Sequence, residues 1–392
     1  MKYSILEKIL VALFTFISHI IFARALSPSE YGDFLYHQAI FFILIQVVAF
    51  GIKNNYFMLY KYSRYRGDIF SIICEIRFFI FCITVLLIII IFDDFKITLI
   101  YSISLFFVID VFEWDKEYTN DFKLIFIVRF FVLSTLMIVK LILINIYNHY
   151  YIALILWLIE LPCCYIIYYF IFNKRIKITL VFNKKIISLL IKRSFPIFIA
   201  SVVGIIYSRM DQIMLNNLMQ ARDVAIFSIA QKLTEPFTIF AYGIVSYSVP
   251  KIIKATVVDK YAIIKKYFIL LIGLSFVIAL FMITFGDKFV DIFGRDYQES
   301  KQILPYMCLT IPFYFFSSYF ASILVLEKHS KLIFYKSIIG LSVNLSLNYI
   351  LIPLLGVKGV VISTIIALFI SNIILTLLFR RSRKIIIKIL KG

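Results

Sequence analysis

Long apolar runs separated by short polar stretches dominate this chain. A helix that crosses the hydrocarbon core of a bilayer needs about twenty apolar residues, and runs near that length recur along the sequence. We predict about twelve spans, the fourth of them short. They lie near 5–26, 34–52, 70–92, 97–112, 123–146, 151–173, 195–216, 223–250, 262–285, 303–326, 332–353 and 358–379. The pattern predicts an all-α integral membrane protein.

Polar, basic stretches divide the predicted spans into two blocks. We expect an N-terminal lobe of six helices over 1–173, a basic linker over 174–194, a C-terminal lobe of six helices over 195–379, and a basic tail over 380–392. Composition agrees with a membrane solvent, since 62% of the residues are hydrophobic and the mean hydropathy is +0.98. Residues 26–34 and 219–227 share a weak pattern, which indicates an internal repeat of the kind that many transporters contain.

The 41 Lys and Arg residues against 22 Asp and Glu give a net charge of +19. A basic soluble protein or a nucleic-acid partner is excluded because the cations lie between apolar runs. They concentrate at both ends, in the linker and in alternate connections. The remaining connections hold only Arg24, Lys96, Arg222, Lys288, Arg295, Lys301 and Lys358. By the positive-inside rule, both termini are predicted to be cytoplasmic.

No enzymatic signature is present in the sequence. It lacks a phosphate-binding Gly-rich loop ending in Lys-Ser/Thr, an H-E-x-x-H motif and a G-x-S-x-G motif. Its five cysteines and four histidines are scattered and form no metal-ligand spacing. We therefore predict a protein that is not an enzyme and that has no metal ion and no cofactor.

Ionisable residues inside the predicted spans carry the functional hypothesis. Each costs roughly 2.5–3.5 kcal/mol at the centre of a bilayer, so it usually faces a cavity or a partner. The substrate-binding candidates are the basic residues Arg77, Arg129, Lys140, Arg209, Lys232 and Lys336. The acidic residues Asp211 and Glu235 are candidates for ion coupling, and Glu160 stands alone in the sixth span. Together the cations predict a basic, water-filled cavity that attracts a diphosphate or an acidic sugar.

A structural role is the alternative for each of these residues. Lys232 and Glu235 are three positions apart and are close enough to neutralise each other. Arg77, Arg129 and Lys336 lie near enough to the cytoplasmic face to extend towards water. Arg129 and Lys140, about three helical turns apart, share one helix face. Asp211 and Lys232 lie at similar depths, which predicts a buried pair if their faces meet.

Three stretches, in this order, resemble bacterial O-antigen and polysaccharide flippases of the Wzx type. Residues 22–34, FARALSPSEYGDF, resemble the first outer loop of that family. Residues 194–215, SFPIFIASVVGIIYSRMDQIML, and their continuation VAIFSIAQKL at 224–233 are similar to the opening of its second half. Residues 348–360, NYILIPLLGVKGV, resemble a segment near its end. Val360 and Val361 depart from the family, where small Ala residues are usual.

The resemblance implies a fold shared with the multidrug and toxin extrusion exporters, with two lobes of six helices around a central cavity. It also implies a substrate, an undecaprenyl-diphosphate-linked oligosaccharide moved across the membrane by alternating access. Membrane lipids, a polysaccharide polymerase and a chain-length regulator are the expected partners, and H⁺ or Na⁺ is the expected coupling ion.

Two other functions stay open at this point. A multidrug exporter of the same fold is expected to hold acids in its cavity, and the excess of cations argues against it. An O-antigen polymerase needs a large outer loop with catalytic groups, but the longest outer loop predicted here, over 286–302, is short. An ion channel ranks third, since no filter-like sequence is present.

Overall fold

The computed structural model is helical throughout the residues that it describes, which are 2–53, 55–56, 66–109, 112–119, 121–172, 183–256 and 259–391. Its helices form two compact units. The first comprises Met1–Glu30 and His37–Ile206, and the second comprises Tyr31–Tyr36 and Tyr207–Gly392. We refer to them as the first lobe and the second lobe.

The helices of the first lobe alternate between long spans and short connecting helices. Their bounds are α1 Lys2–Ala25, α2 Pro28–Ala49, α3 Arg66–Ile91, α4 Phe95–Phe107, α5 Phe112–Tyr118, α6 Phe122–Tyr147, α7 Tyr150–Leu158 and α8 Glu160–Phe172. The following helix, α9, spans Lys184–Leu218, and the division between the lobes falls inside it.

The second lobe continues from α9 with helices that are more often interrupted. Their bounds are α10 Ala221–Thr234, a 3₁₀ turn Glu235–Phe237, α11 Thr238–Lys254, α12 Asp259–Val290, a 3₁₀ turn Arg295–Tyr297, α13 Glu299–Cys308, α14 Ile311–Leu326, α15 Ser330–Leu355, α16 Val357–Phe369, a π-helical turn Ile370–Ile374, α17 Leu375–Leu378 and α18 Arg380–Lys391.

Ten helical segments within the described residues are long and apolar enough to cross a membrane. They coincide with ten of the predicted spans. The predicted fourth span is the short apolar helix α4, and the predicted eighth is broken by the turn Glu235–Phe237, where Pro236 supplies no backbone donor. Large apolar side chains point outward, including Ile90 at 77% exposure. The predicted all-α membrane fold is therefore confirmed.

The predicted linker over 174–194 differs in part from the structure. Residues 184–194 form the first three turns of α9, which continues without interruption to Leu218 despite Pro196. The helix therefore begins before the apolar run from which the seventh span was predicted. Residues 174–182 lie outside the described residues, and the predicted lobe boundaries stay a prediction.

The two regions of the weak internal repeat both begin a helix. Ser27 caps α2, where its hydroxyl accepts a hydrogen bond from the Glu30 amide at 3.3 Å. Gln220 and Asp223 form a reciprocal cap at the start of α10. These caps satisfy backbone donors that a helix start leaves without partners. The shared sequence pattern therefore marks equivalent helix starts.

Helices α15 and α16 approach each other closely, and their approach positions the polar residues of the second lobe. A Cβ atom at Gly359 would overlap the Leu351 carbonyl group, so only glycine allows this backbone contact. The turn between the two helices is at Gly356, whose φ of +58° also favours glycine. One consequence is that Asn344 and Asn348 of α15 face Thr364 of α16.

Candidate functional site

Asp211 is a buried carboxylate near the end of α9. Its Oδ1 accepts a hydrogen bond from Asn348 Nδ2 at 2.7 Å, and its Oδ2 accepts one from Thr364 Oγ1 at 3.0 Å. Asn348 Nδ2 also lies 3.3 Å from Asn344 Oδ1. Asp211 itself is 6% exposed. The carboxylate is thus held by neutral donors from α15 and α16.

The predicted pairing of Asp211 with Lys232 is wrong. The side chains bonded to the Asp211 carboxylate are Asn348 and Thr364, whereas the charged neighbours of Lys232 are Glu235 and Arg209. The sequence argument compared only the depths of the two residues. Depth follows from the rise per residue, but the direction that a side chain faces depends on how the helices pack.

Arg209 and Glu235 form a loose ion pair beside Lys232. Arg209 Nη1 lies 3.8 Å from Glu235 Oε1, and the side chains are 18% and 43% exposed respectively. Glu235 begins the 3₁₀ turn that breaks the eighth span. Two cations, Arg209 and Lys232, therefore lie near the carboxylate of Glu235. The group carries an excess positive charge and is partly accessible, which is what anion binding requires.

Lys336 is buried in α15 at 7% exposure. Its ammonium donates a hydrogen bond to Thr376 Oγ1 at 2.8 Å and lies 5.1 Å from the centroid of the Phe320 ring. A hydroxyl and an aromatic face stabilise the cation without neutralising it. The predicted polar stripe of α15, which continues through Gly340, Asn344 and Asn348, is buried along its length.

A π-helical turn lies opposite this stripe. It spans Ile370–Ile374, and its Ser371 is close to Gly340, where a Cβ atom would meet the Ser371 Cβ at 3.0 Å. Single π-turns inside α-helices often occur at functional sites. Sequence reasoning missed this turn, whose apolar sequence ISNII gives no local signal except the polar pair Ser371 and Asn372.

The basic candidates of the first lobe are paired with carboxylates. Arg129 Nη1 lies 2.5 Å from Glu7 Oε1, and its Nη2 lies 2.8 Å and 2.9 Å from the two oxygens of Glu113. Lys140 donates to Glu160 and to Ser18 Oγ, the latter at 3.0 Å. These contacts favour the alternative in which both cations hold helices together.

Sequence reasoning missed the acidic partners of these two cations. Glu160 does not stand alone, since it pairs with Lys140 across α6 and α8. Glu7 lies in the first predicted span, and an acid inside an apolar helix was the available signal. The shared helix face of Arg129 and Lys140 therefore does not make them one cationic surface.

Arg77 packs against an aromatic ring. It is 3% exposed, and its Cζ lies 4.7 Å from the centroid of the Trp114 ring. Its Nη1 also lies 3.5 Å from the Ile109 carbonyl oxygen.

Among the described residues, no group of three or more His, Cys, Asp or Glu side chains is arranged to hold a metal ion.

Comparisons with known proteins concern the family and the fold of the chain. A family model described as "Polysaccharide biosynthesis protein" matches residues 2–256, and a second one, MatE, matches residues 196–350. No match was found among curated protein sequences.

Solved structures share the fold over nearly the whole chain. The structure of the lipid II flippase MurJ in an inward closed conformation is 18% identical, with a TM-score of 0.74 and coverage of 98% of this chain and 90% of that chain. An inward-facing multidrug resistance MATE family transporter of the MOP superfamily is 13% identical, with a TM-score of 0.75 and coverage of 95% and 94%. A MOP superfamily transporter from Pyrococcus furiosus is 14% identical, with a TM-score of 0.63 and coverage of 97% and 93%.

Proposed function

The chain belongs to the polysaccharide biosynthesis protein family, and we propose that it is a flippase for an undecaprenyl-diphosphate-linked oligosaccharide. It is a multi-pass membrane protein with the fold of flippases and transporters. The proposed substrate is an O-antigen or similar polysaccharide repeat unit, and the proposed cellular location is the cytoplasmic membrane of a bacterium. No chemical bond is broken in this activity, in line with a sequence that has no enzymatic motif.

The observation that carries the proposal is the excess of cations in the second lobe. Arg209 pairs loosely with Glu235, Lys232 lies near both of them, and Lys336 is held by a hydroxyl and an aromatic ring. A diphosphate carries its charge on several oxygens, and a guanidinium binds two such oxygens at once. We assign Arg209 to the diphosphate, with Lys232 and Lys336 adding to the positive field. Arg77, Arg129 and Lys140 become structural residues in this proposal.

Ion coupling is assigned to the oxygens around Asp211. The carboxylate lies beside Asn344, Asn348 and Thr364, and the buried Asn348 Oδ1 makes no described hydrogen bond. Carboxylate, amide and hydroxyl oxygens are the ligands of hard cations, so this group suits either Na⁺ or a proton on Asp211. Glu235 is more exposed and contacts Arg209, so we assign it to the substrate site and not to ion coupling.

Direct binding tests the substrate assignment. Native mass spectrometry of the purified full-length protein should detect bound undecaprenyl diphosphate, and Arg209→Ala should weaken binding by at least about tenfold, as loss of a charge-assisted contact predicts. The matched control is Arg222→Ala, which removes an exposed arginine that pairs with Glu299 at 2.7 Å. Equal binding by both variants would remove Arg209 from the site.

The same assay separates this function from multidrug export. The MatE match to residues 196–350 supports that second candidate. A multidrug exporter should bind a lipophilic cation such as ethidium and should ignore the diphosphate. Binding of ethidium that is lost in Asp211→Asn and retained in Arg209→Ala would favour the exporter.

Cell-based measurements test the orientation and the pathway. Reporter fusions after Gly392 and near Lys184 should be cytoplasmic, and a fusion near Asp291 should be external. The reason is that most Lys and Arg residues lie in the connections assigned to the cytoplasm. An external reporter after Gly392 would contradict the proposed even number of spans. Export of surface polysaccharide should require the chain together with a polymerase and a chain-length regulator.

A further inference from the structure

The C-terminal helix α18 lies at the edge of the membrane domain. The last candidate span ends at Leu378, and α18 begins two residues later at Arg380. Phe379, with φ −69° and ψ 112°, breaks the helical path between them. Because a chain advances at most about 3.6 Å per residue, the start of α18 lies within a few ångströms of the end of the span.

One face of α18 is anchored on the second lobe. Ser382, Ile385 and Ile389 are buried, and their spacing of three and four residues places them on one side of the helix. They pack towards α12, and the ammonium of Lys388 lies 5.3 Å from the centroid of the Tyr261 ring, near the start of α12. Helix α12 has 32 residues, about 48 Å, so it extends beyond a hydrocarbon core of about 30 Å. The start of α12 is therefore expected near the surface of the hydrocarbon core, and the contact with Tyr261 places α18 at that surface.

The other face of α18 is basic and exposed. Four exposed cations point away from the buried face: Arg380, Arg381, Arg383 and Lys384. The sequence of the helix, RRSRKIIIKILK, contains no acidic residue. Ile387 is 43% exposed on the side of the cations. A helix with a strongly basic face and accessible apolar side chains, lying at a membrane boundary, is typical of interfacial helices.

We propose that α18 is an interfacial helix whose exposed basic face binds the headgroups of anionic phospholipids. Charge complementarity identifies the occupant, because the phosphate layer of the bilayer presents a dense negative surface at the depth where the helix lies. Each Lys or Arg near such a surface adds to the attraction, and four cations on one face of a short helix make it strong. This inference is independent of the transported substrate, and it goes beyond the proposed flippase activity.

Hydrogen–deuterium exchange of the full-length protein in nanodiscs tests the proposal. One set of discs contains phosphatidylcholine alone, and the other has about a third of the lipid replaced by phosphatidylglycerol. Backbone amides of residues 380–391 should exchange about tenfold more slowly in the anionic discs, and high salt should remove the difference. Equal exchange in the two kinds of disc would overturn the proposal, since packing on α12 alone would then explain any protection.

Variants identify the residues responsible. Replacing Arg380, Arg381, Arg383 and Lys384 by Gln keeps helix propensity and leaves the buried face and the Lys388 contact with Tyr261 intact. This variant should exchange equally in the two discs. The control replaces the exposed Lys184, Lys185, Lys192 and Arg193 at the start of α9 by Gln, and it should keep the lipid-dependent difference. If the first variant retained that difference, the basic face would not be the lipid site.

Discussion

The two lobes hold their interior charges in different ways. In the first lobe, Arg129 lies between Glu7 and Glu113, and Lys140 is paired with Glu160. In the second lobe, Asp211 is held by amide and hydroxyl groups, and Lys336 by Thr376 and an aromatic ring. Opposite charges meet directly at Arg129 and Lys140 of the first lobe. In the second lobe, Asp211 and Lys336 are held by uncharged groups, and the Arg209–Glu235 pair is looser, at 3.8 Å.

This difference separates structural charges from charges that remain available. A buried ion pair neutralises itself, and removing one partner leaves an uncompensated charge that is costly to bury. A charge held by neutral dipoles keeps its field, so it still attracts an ion or a phosphate. The comparison predicts that substitutions in the first lobe reduce folding and those in the second reduce transport.

The largest loss of folding stability is expected when the pair of Lys140 and Glu160 is broken. Lys140 is 2% exposed, so Glu160→Ala leaves its ammonium with no acidic partner among its described contacts, which are then Ser18 Oγ and the Phe22 ring, and should destabilise the fold by about 3–5 kcal/mol. Adding Lys140→Met removes the stranded charge and should recover much of the loss. The measurement is the yield and thermal unfolding midpoint of detergent-purified protein. A double variant as unstable as the sum of both single ones would show that the pair is not coupled.

This expectation revises what the sequence alone indicated for these residues. A cationic cavity lined by Arg129 and Lys140 would tolerate their neutralisation without loss of folded protein. Since both are paired with acids, the double variant Arg129→Ala, Lys140→Ala should instead lose folded protein, because Glu7, Glu113 and Glu160 are left without cations. The prediction that Arg129 and Lys140 bind substrate stays a prediction, which transport measurements on these variants would test.

The next effect concerns Asp211, where two substitutions should behave differently. Asp211→Ala removes an acceptor from Asn348 and Thr364 and should cost about 1–3 kcal/mol of stability. Asp211→Asn retains an acceptor oxygen at the same place and should fold nearly as well. Both should abolish ion-dependent polysaccharide export, measured in cells that lack their own flippase. Full export by Asp211→Asn would remove this residue from coupling.

Much of the architecture, but less of the site, could be predicted from the sequence. Apolar length alone located ten of the spans, because a bilayer imposes that length on every helix. The stripe of α15 was also predictable, since Lys336, Gly340, Asn344 and Asn348 recur at helical spacing. Pairings between helices were not predictable. Glu160 lies 20 residues from Lys140, and only the packing of α8 against α6 brings them together.

A smaller effect on folding is expected at Lys336, which is the counterpart of Lys140. Lys336→Met keeps the length of the side chain and strands no acid among its described contacts, so stability should change by less than about 1 kcal/mol. Export should nevertheless fall, because a cation of the proposed site is lost. Unfolding midpoints and export are measured side by side with Lys140→Met. Equal loss of folded protein in the two variants would break the comparison between the lobes.

The smallest loss of stability is expected at a more exposed ion pair, between Asp291 and Lys301, at the ends of two spans. It serves as the reference for the buried pairs. Lys301 Nζ lies 2.7 Å from Asp291 Oδ1, and Gln298 Nε2 donates to the same oxygen at 2.9 Å. The hydrogen bond from Lys301, and then that from Gln298, lower the pKa of the Asp291 carboxyl below its ordinary value. Exposed pairs are screened by water and salt, so their contribution to stability is small.

The direction of the pH dependence follows from this lowered pKa. A carboxyl whose pKa is lower in the folded than in the unfolded protein stabilises the fold at a pH above the unfolded pKa of about 3.9. That contribution is lost as the pH falls through the pKa of the folded protein. Asp291→Asn should therefore unfold at a slightly lower temperature than the unmodified protein at pH 7, and the two midpoints should converge as the pH falls below the pKa of Asp291 in the folded state. Raising the salt concentration at pH 7 should also narrow the gap. A loss at Asp291 as large as that of Glu160→Ala would mean that burial does not set the strength of the pairs in this protein.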